Sequence, residues 1–106
     1  MTKQEAYRLR KPWVRYVEYA RRRCGAKAGK WYRLYAGRGI RCEIAIADTA
    51  YLWRRDNAAA LASPSLDRID SDWNYTLANC RFIELSANQS AGGLKRAERM
   101  ALGLTA

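Results

Sequence analysis

The sequence contains no histidine among its 106 residues. That removes the side chain whose ordinary pKa lies nearest neutrality, and with it the commonest general base. Cysteine is scarce too: Cys24, Cys42 and Cys80 are the only three, and no two form a C-x-x-C pair. A structural zinc site takes four ligands, so the sequence argues against one. The odd thiol count points to reduced, mostly buried cysteines. No stretch approaches the ~20 consecutive apolar residues that cross a bilayer. The opening MTKQEAYRLRKPWVRY has neither the apolar block nor the cleavage site of a secretory signal. A basic helix with a large apolar face, suited to an anionic membrane surface, is missing as well. The expectation is an intracellular, cytoplasmic protein without a membrane partner.

Acidic residues are few. Ten Asp and Glu face twenty Lys and Arg, a net charge of +10. The excess is uneven: residues 1–40 carry twelve basic side chains against Glu5 and Glu18, residues 41–86 carry five against seven, and residues 87–106 carry three against one. Basic arms therefore flank a mildly acidic centre. Such asymmetry suggests a polyanion partner, DNA ahead of RNA, although a solvated basic surface would read the same way. The length implies one domain, and 49% hydrophobic residues suffice for one modest core.

Along the chain, Pro12 suits the first turn of a helix, and Trp13, Val17, Ala20 and Cys24 recur on one helical face up to Gly25. Arg15 and Arg22, seven apart, mark the outer face, with Arg8 seven earlier and Arg21 and Arg23 alongside. Residues 25–39, GAKAGKWYRLYAGRG, read as a loop closing in a tight turn at Gly37-Arg38-Gly39. Its Lys30, Arg33 and Arg38 alternate with Trp31, Tyr32 and Tyr35, a mixture that grips phosphate and stacks on bases, or fills the edge of a core. IRCEIAI, residues 40–46, reads as a short strand. Asp48 or Thr49 caps a following helix that runs through the alanines to Ala62, with Tyr51, Leu52, Arg55 and Ala59 on one side. Ser63-Pro64-Ser65 ends it.

Residues 65–90 read SLDRIDSDWNYTLANCRFIELSANQS. Leu66 and Ile69 belong to one strand, Ser71-Asp72-Trp73-Asn74 to a turn, and Cys80, Phe82 and Leu85 to a second strand. Ser86 suits the N-cap of a last helix, weakened at Gly92-Gly93 before the basic tail of Lys95, Arg96 and Arg99.

The distributed pattern W…Y…RRRC, YAGRGIRC and PSLDRIDSDWNYTLANCRFIELSANQS, over residues 13 to about 90, resembles the phage-type HNH endonucleases of the His-Me finger (ββα-metal) superfamily. The resemblance implies an α+β fold: a small single domain with an N-terminal helix and a ββα-metal, HNH-like finger with flanking helices. Within residues 1–106, the basic helix and Gly/aromatic loop would occupy 1–40, a strand and helix 41–63, the finger 64–92 and the basic tail 93–106. It also implies a divalent ion, Mg²⁺ or Mn²⁺, held by Asp67 and Asn88, with Asn79 shaping the hairpin of the catalytic site. Arg68 stands where the family places its general-base histidine. Two further departures are Trp73, where relatives carry glycine, and Leu77, where they carry proline.

An arginine stays protonated and cannot accept the proton that histidine would. Losing a general base costs roughly 10²–10⁴ in rate, although a metal-bound water or Asp70 could sustain slow hydrolysis. Arg68 would instead contact phosphate, or pair with Asp67, Asp70 or Asp72. Three readings follow. One is a DNA-binding finger with reduced or absent nuclease activity, with or without a bound metal. The second is an active metal-dependent endonuclease. The third is a viral interaction protein that blocks a host nucleoprotein complex in the host cytoplasm. The expected nucleic-acid contacts are Arg15, Arg22, Arg23, Lys30, Arg33, Arg38, Arg68, Lys95 and Arg96.

Overall fold

The computed structural model describes residues 1–87, so Asn88, Lys95, Arg96 and the remainder of the basic tail lie outside the described residues. The architecture is α+β: among the described residues, four complete helices and two 3-10 turns surround a two-stranded antiparallel sheet. Residues 1–24 contain two helices rather than one. Helix α1, Lys3–Arg10, begins at Thr2, whose hydroxyl accepts from the Glu5 amide while the Glu5 carboxylate accepts from the Thr2 amide, each at 3.1 Å. No residue of α1 is buried. Pro12 lies just ahead of the second helix, α2, Val14–Cys24, rather than inside its first turn.

The predicted face of α2 is present: Val17 and Ala20 are buried, and Trp13 and Cys24 pack at the edge of the core. Val14 and Tyr16 join them. Tyr16 is buried because its polar tip is satisfied: the hydroxyl donates to the Pro64 carbonyl at 3.0 Å and accepts from Arg15 at 2.9 Å. Its ring meets Phe82 edge-on at 5.1 Å, and Trp53 meets the same Phe82 at 5.2 Å. These three aromatics join α2, the helix that carries Trp53 and the sheet.

The segment expected as a loop at 25–39 is helical in part. Helix α3, Gly29–Leu34, is followed by a 3-10 turn, Ala36–Arg38. Packing of Trp31 against Tyr35 at 5.9 Å and a cation–π contact from Arg23 at 5.0 Å hold this short helix, and sequence spacing alone does not reveal such contacts. The tight turn at its end is as predicted. Gly39 has φ 77°, and a Cβ on Gly37 would approach the Tyr32 carbonyl to 2.8 Å.

The strand expected at 40–46 reduces to one parallel bridge between Cys42 and Tyr75, with Tyr75 donating to Arg41 and accepting from Glu43, each at 2.9 Å. Ile40 and Ile44 are buried, so the alternation was a real signal for the core without a ladder. Helix α4, Ile46–Arg55, starts at Ala45 rather than at Asp48 or Thr49. Asp48 still serves the cap by reaching back to accept from the Ala45 amide at 2.8 Å. The helix also stops seven residues before Ala62. Asn57 takes the left-handed conformation at φ 51°, and Ala58–Ala60 form a 3-10 turn. Thr49 and Leu52 form the inward face of α4, whereas Tyr51, grouped with Leu52 on one side from sequence, is exposed.

Strands β1, Pro64–Arg68, and β2, Cys80–Glu84, pair with Leu66 opposite Phe82, Asp67 opposite Arg81 and Arg68 opposite Cys80. Ile69 and Leu85 lie just beyond the strands, and residues 85–87 are helical, which places Ser86 inside that turn rather than at its N-cap. Carboxylates clamp the hairpin to the segment after α4. Asp56 accepts from the Phe82 amide at 2.7 Å, and Glu84 accepts from the Ala62 and Ser63 amides at 2.6 and 3.0 Å.

Candidate functional site

Successive side chains on a strand point to opposite faces. Asp67 and Arg68 therefore diverge, although they are neighbours in sequence. Asp67 shares its face with Arg81, whose Nε lies 2.9 Å from Asp67 Oδ2. The carboxylate is only 7% exposed, so this contact is a charge-assisted bond with restricted access to water. Arg68 shares its face with Cys80 and turns toward the core edge. One of its terminal nitrogens donates to the Trp73 carbonyl at 2.8 Å. Its guanidinium carbon lies 5.1 Å from the Tyr35 ring centre and 5.0 Å from that of Tyr75. The two rings are nearly parallel, with centres 6.2 Å apart. Arg68 is therefore half-buried against a two-ring platform, and the backbone of the hairpin tip anchors it.

Asn79 explains the shape of that tip. Its Oδ1 accepts from the Asp70 amide at 2.8 Å, and its Nδ2 donates to the Asp70 and Asn74 carbonyls, each at 2.9 Å. Its main-chain carbonyl accepts from Ile69 at 2.7 Å. Within the turn, Asp70 accepts from the Asp72 amide at 2.9 Å, while Arg38 reaches across from the Gly37–Gly39 turn to Asp72 at 2.5 Å. Asn74, 6% exposed, accepts from the Arg41 amide and donates to Glu43. The tip is thus tied to residues 38–43 on both sides.

The thiols cluster near this platform. Burial pushes Cys24 up to about 11 and Cys80 up to about 12, and raises Cys42 as well. None of the three is in a disulfide; Cys80 is buried as expected, whereas Cys24 and Cys42 are only half-buried. Burial likewise raises the Tyr75 hydroxyl, with Tyr35 adding to the effect.

A divalent ion such as Mg²⁺ or Mn²⁺ is held by several oxygen donors. Asp67 Oδ2 already accepts from Arg81, and among the described residues no group of three His, Cys, Asp or Glu side chains gathers to hold a metal. A guanidinium on the proposed ligand opposes a second cation there. Of the implied pair of ligands the structure describes Asp67 alone, bonded to Arg81, because Asn88 lies outside the described residues.

Arg15 and Arg22 are exposed and, with Arg8 of α1, line one cleft of about 290 Å³ together with Glu18 and Tyr19. Arg33 is exposed on α3, and Lys30 lies over the Trp31 ring at 5.1 Å. Arg15 also donates to the Tyr16 hydroxyl and Arg22 lies over the Tyr19 ring at 5.9 Å, while Arg23, Arg38 and Arg68 are held by Trp31 and Tyr35, by Asp72, and by the Trp73 carbonyl with two tyrosines. Sequence reading missed Arg81, although the hairpin register sets it opposite Asp67. It also missed Tyr19, three residues from Tyr16, which meets the Tyr16 ring edge-on at 6.5 Å and remains 43% exposed. Among the described residues no helix is long and apolar enough to cross a membrane. Comparison with family models, curated proteins and solved structures returns no match for this chain.

Proposed function

We propose that this protein is an HNH-like, phage-type finger that binds nucleic acid, DNA in the first instance, without cutting it efficiently. Arg68 carries the reading. The position at which an HNH nuclease would hold a proton acceptor bears a permanent cation, anchored on Trp73, Tyr35 and Tyr75. Its neighbour Asp67 is held by Arg81 on the opposite face of the hairpin. Neither side chain is set up to activate water. The net charge of +10 and the exposed arginines of α2 supply the electrostatic part of binding.

Incubation with supercoiled plasmid and with branched DNA, in Mg²⁺ and separately in Mn²⁺, tests the reading beside an Asp67→Ala control. The expected result is no nicking, together with a mobility shift that weakens steeply with salt. Cleavage that vanishes in the Asp67→Ala protein would overturn it and establish a working nuclease.

A further inference from the structure

The surface of α2 carries more than charge. Three clefts adjoin along it and share Tyr19. The first, about 290 Å³, sets the guanidiniums of Arg8, Arg15 and Arg22 against the single carboxylate of Glu18. The second, about 110 Å³, lies among Tyr19, Arg22, Arg23 and Trp31. The third, about 180 Å³, continues to Tyr75 and Leu66 at the face of the hairpin. Tyr19 is 43% exposed and Trp31 39% exposed, so two aromatic rings border the middle of a basic groove, Tyr19 with Arg22 over it at 5.9 Å and Trp31 with Arg23 and Lys30 over it at 5.0 and 5.1 Å. Both are oriented by packing: Tyr19 by a near-perpendicular contact with Tyr16 and by Arg22, and Trp31 by Tyr35, Arg23 and Lys30.

A duplex hides its base faces in the stack and offers phosphates and groove edges. It would engage the arginines and offer no base face to Tyr19 and Trp31. An unpaired strand offers both a phosphate backbone and bare base faces, which aromatic platforms take in any sequence. We propose that the α2 groove is a seat for single-stranded nucleic acid, with Tyr19 and Trp31 stacking on bases while Arg8, Arg15 and Arg22 follow the phosphates. This rests on the nucleic-acid reading above and narrows its ligand to strands with unpaired bases.

The test is fluorescence anisotropy with a labelled oligothymidine 20-mer and with a 20-base-pair duplex, at matched salt. The variants are Tyr19→Ala, Tyr19→Phe and Trp31→Ala. Single-strand affinity should exceed duplex affinity. Tyr19→Ala should weaken it by about tenfold or more, the scale of one lost base stack, and leave duplex binding within about twofold. Tyr19→Phe keeps the ring and should behave as the parent, which separates stacking from misfolding. Duplex binding equal to or tighter than single-strand binding, or a Tyr19→Ala loss shared equally by both ligands, overturns the groove and leaves the broader reading standing. No salt-dependent binding to either oligonucleotide overturns both.

Discussion

Asp67 and Arg81 face each other across the two-stranded ladder, with Arg81 Nε 2.9 Å from Asp67 Oδ2. The pair accounts for a carboxylate buried at 7% exposure, and it assigns Asp67 to the opposite face from Arg68. Two residues that read as one Asp-Arg unit in sequence thus serve different neighbours. Asp67 holds the ladder, and Arg68 joins the hairpin to Tyr35 beyond α3.

Removing Arg81 should therefore cost more than removing both partners. Arg81→Met leaves a buried carboxylate without this donor, and about 1–3 kcal/mol of stability should be lost. Asp67→Asn combined with Arg81→Met removes the uncompensated charge and should recover part of that loss. Urea unfolding of the two single variants and the double variant measures the coupling. Strict additivity would show that the pair contributes nothing.

Asn79 makes three side-chain hydrogen bonds that close the hairpin tip, one as acceptor and two as donor. Asn79→Ala should cost about 2–4 kcal/mol from these bonds together. Asn79→Asp should be no milder, although it is nearly isosteric, because a carboxylate cannot donate to the Asp70 and Asn74 carbonyls. Thermal unfolding of both variants checks this. An Asp variant as stable as the parent would mean that the two donated bonds carry no weight.

Arg15 and Arg22 are exposed and line one cleft. If each neutralises a phosphate, Arg15→Ala with Arg22→Ala should lower the slope of log affinity against log salt by about 1.4 for a single strand, or about 1.8 for duplex DNA. The weakening should be alike on unrelated sequences. An affinity change with an unaltered slope would assign these side chains a role other than phosphate contact.

Much of the hairpin was legible because its signals are local. Alternation at Cys80 and Phe82, turn residues at 71–74 and the central Asn79 recur as β2, a turn and the tip bracket. The register then set Arg81 opposite Asp67, a consequence that no single motif states. What failed depended on distant partners. Residues 29–34 lack a long helical period, yet α3 forms because Arg23 and Tyr35 pack on Trp31. Residues 40–46 alternate like a strand, but Tyr75 offers them only one bridge. Arg68 had three aspartates within four residues, and its anchors include a carbonyl and two rings drawn from two segments. Local charge counting cannot see a cation–π platform.

Asp56 gives the fold a predictable response to acid. Burial alone would raise its pKa, but the Arg55 side chain and the Phe82 amide outweigh that and hold the carboxyl below its ordinary range. A lowered folded pKa favours the folded state when the group is ionised. The contribution is therefore complete above the unfolded pKa of about 3.9, and it is lost as pH falls through the lower folded value. Asp56→Asn should cost about 1–3 kcal/mol at pH 7, since the Phe82 amide loses a charged acceptor at 2.7 Å. The gap between parent and variant should hold down to about pH 4 and close below it, because the parent's carboxyl is then neutral as well. Urea titrations of both proteins across this range measure it. A gap that stays constant into strong acid would show that Asp56 acts through its shape rather than through its charge.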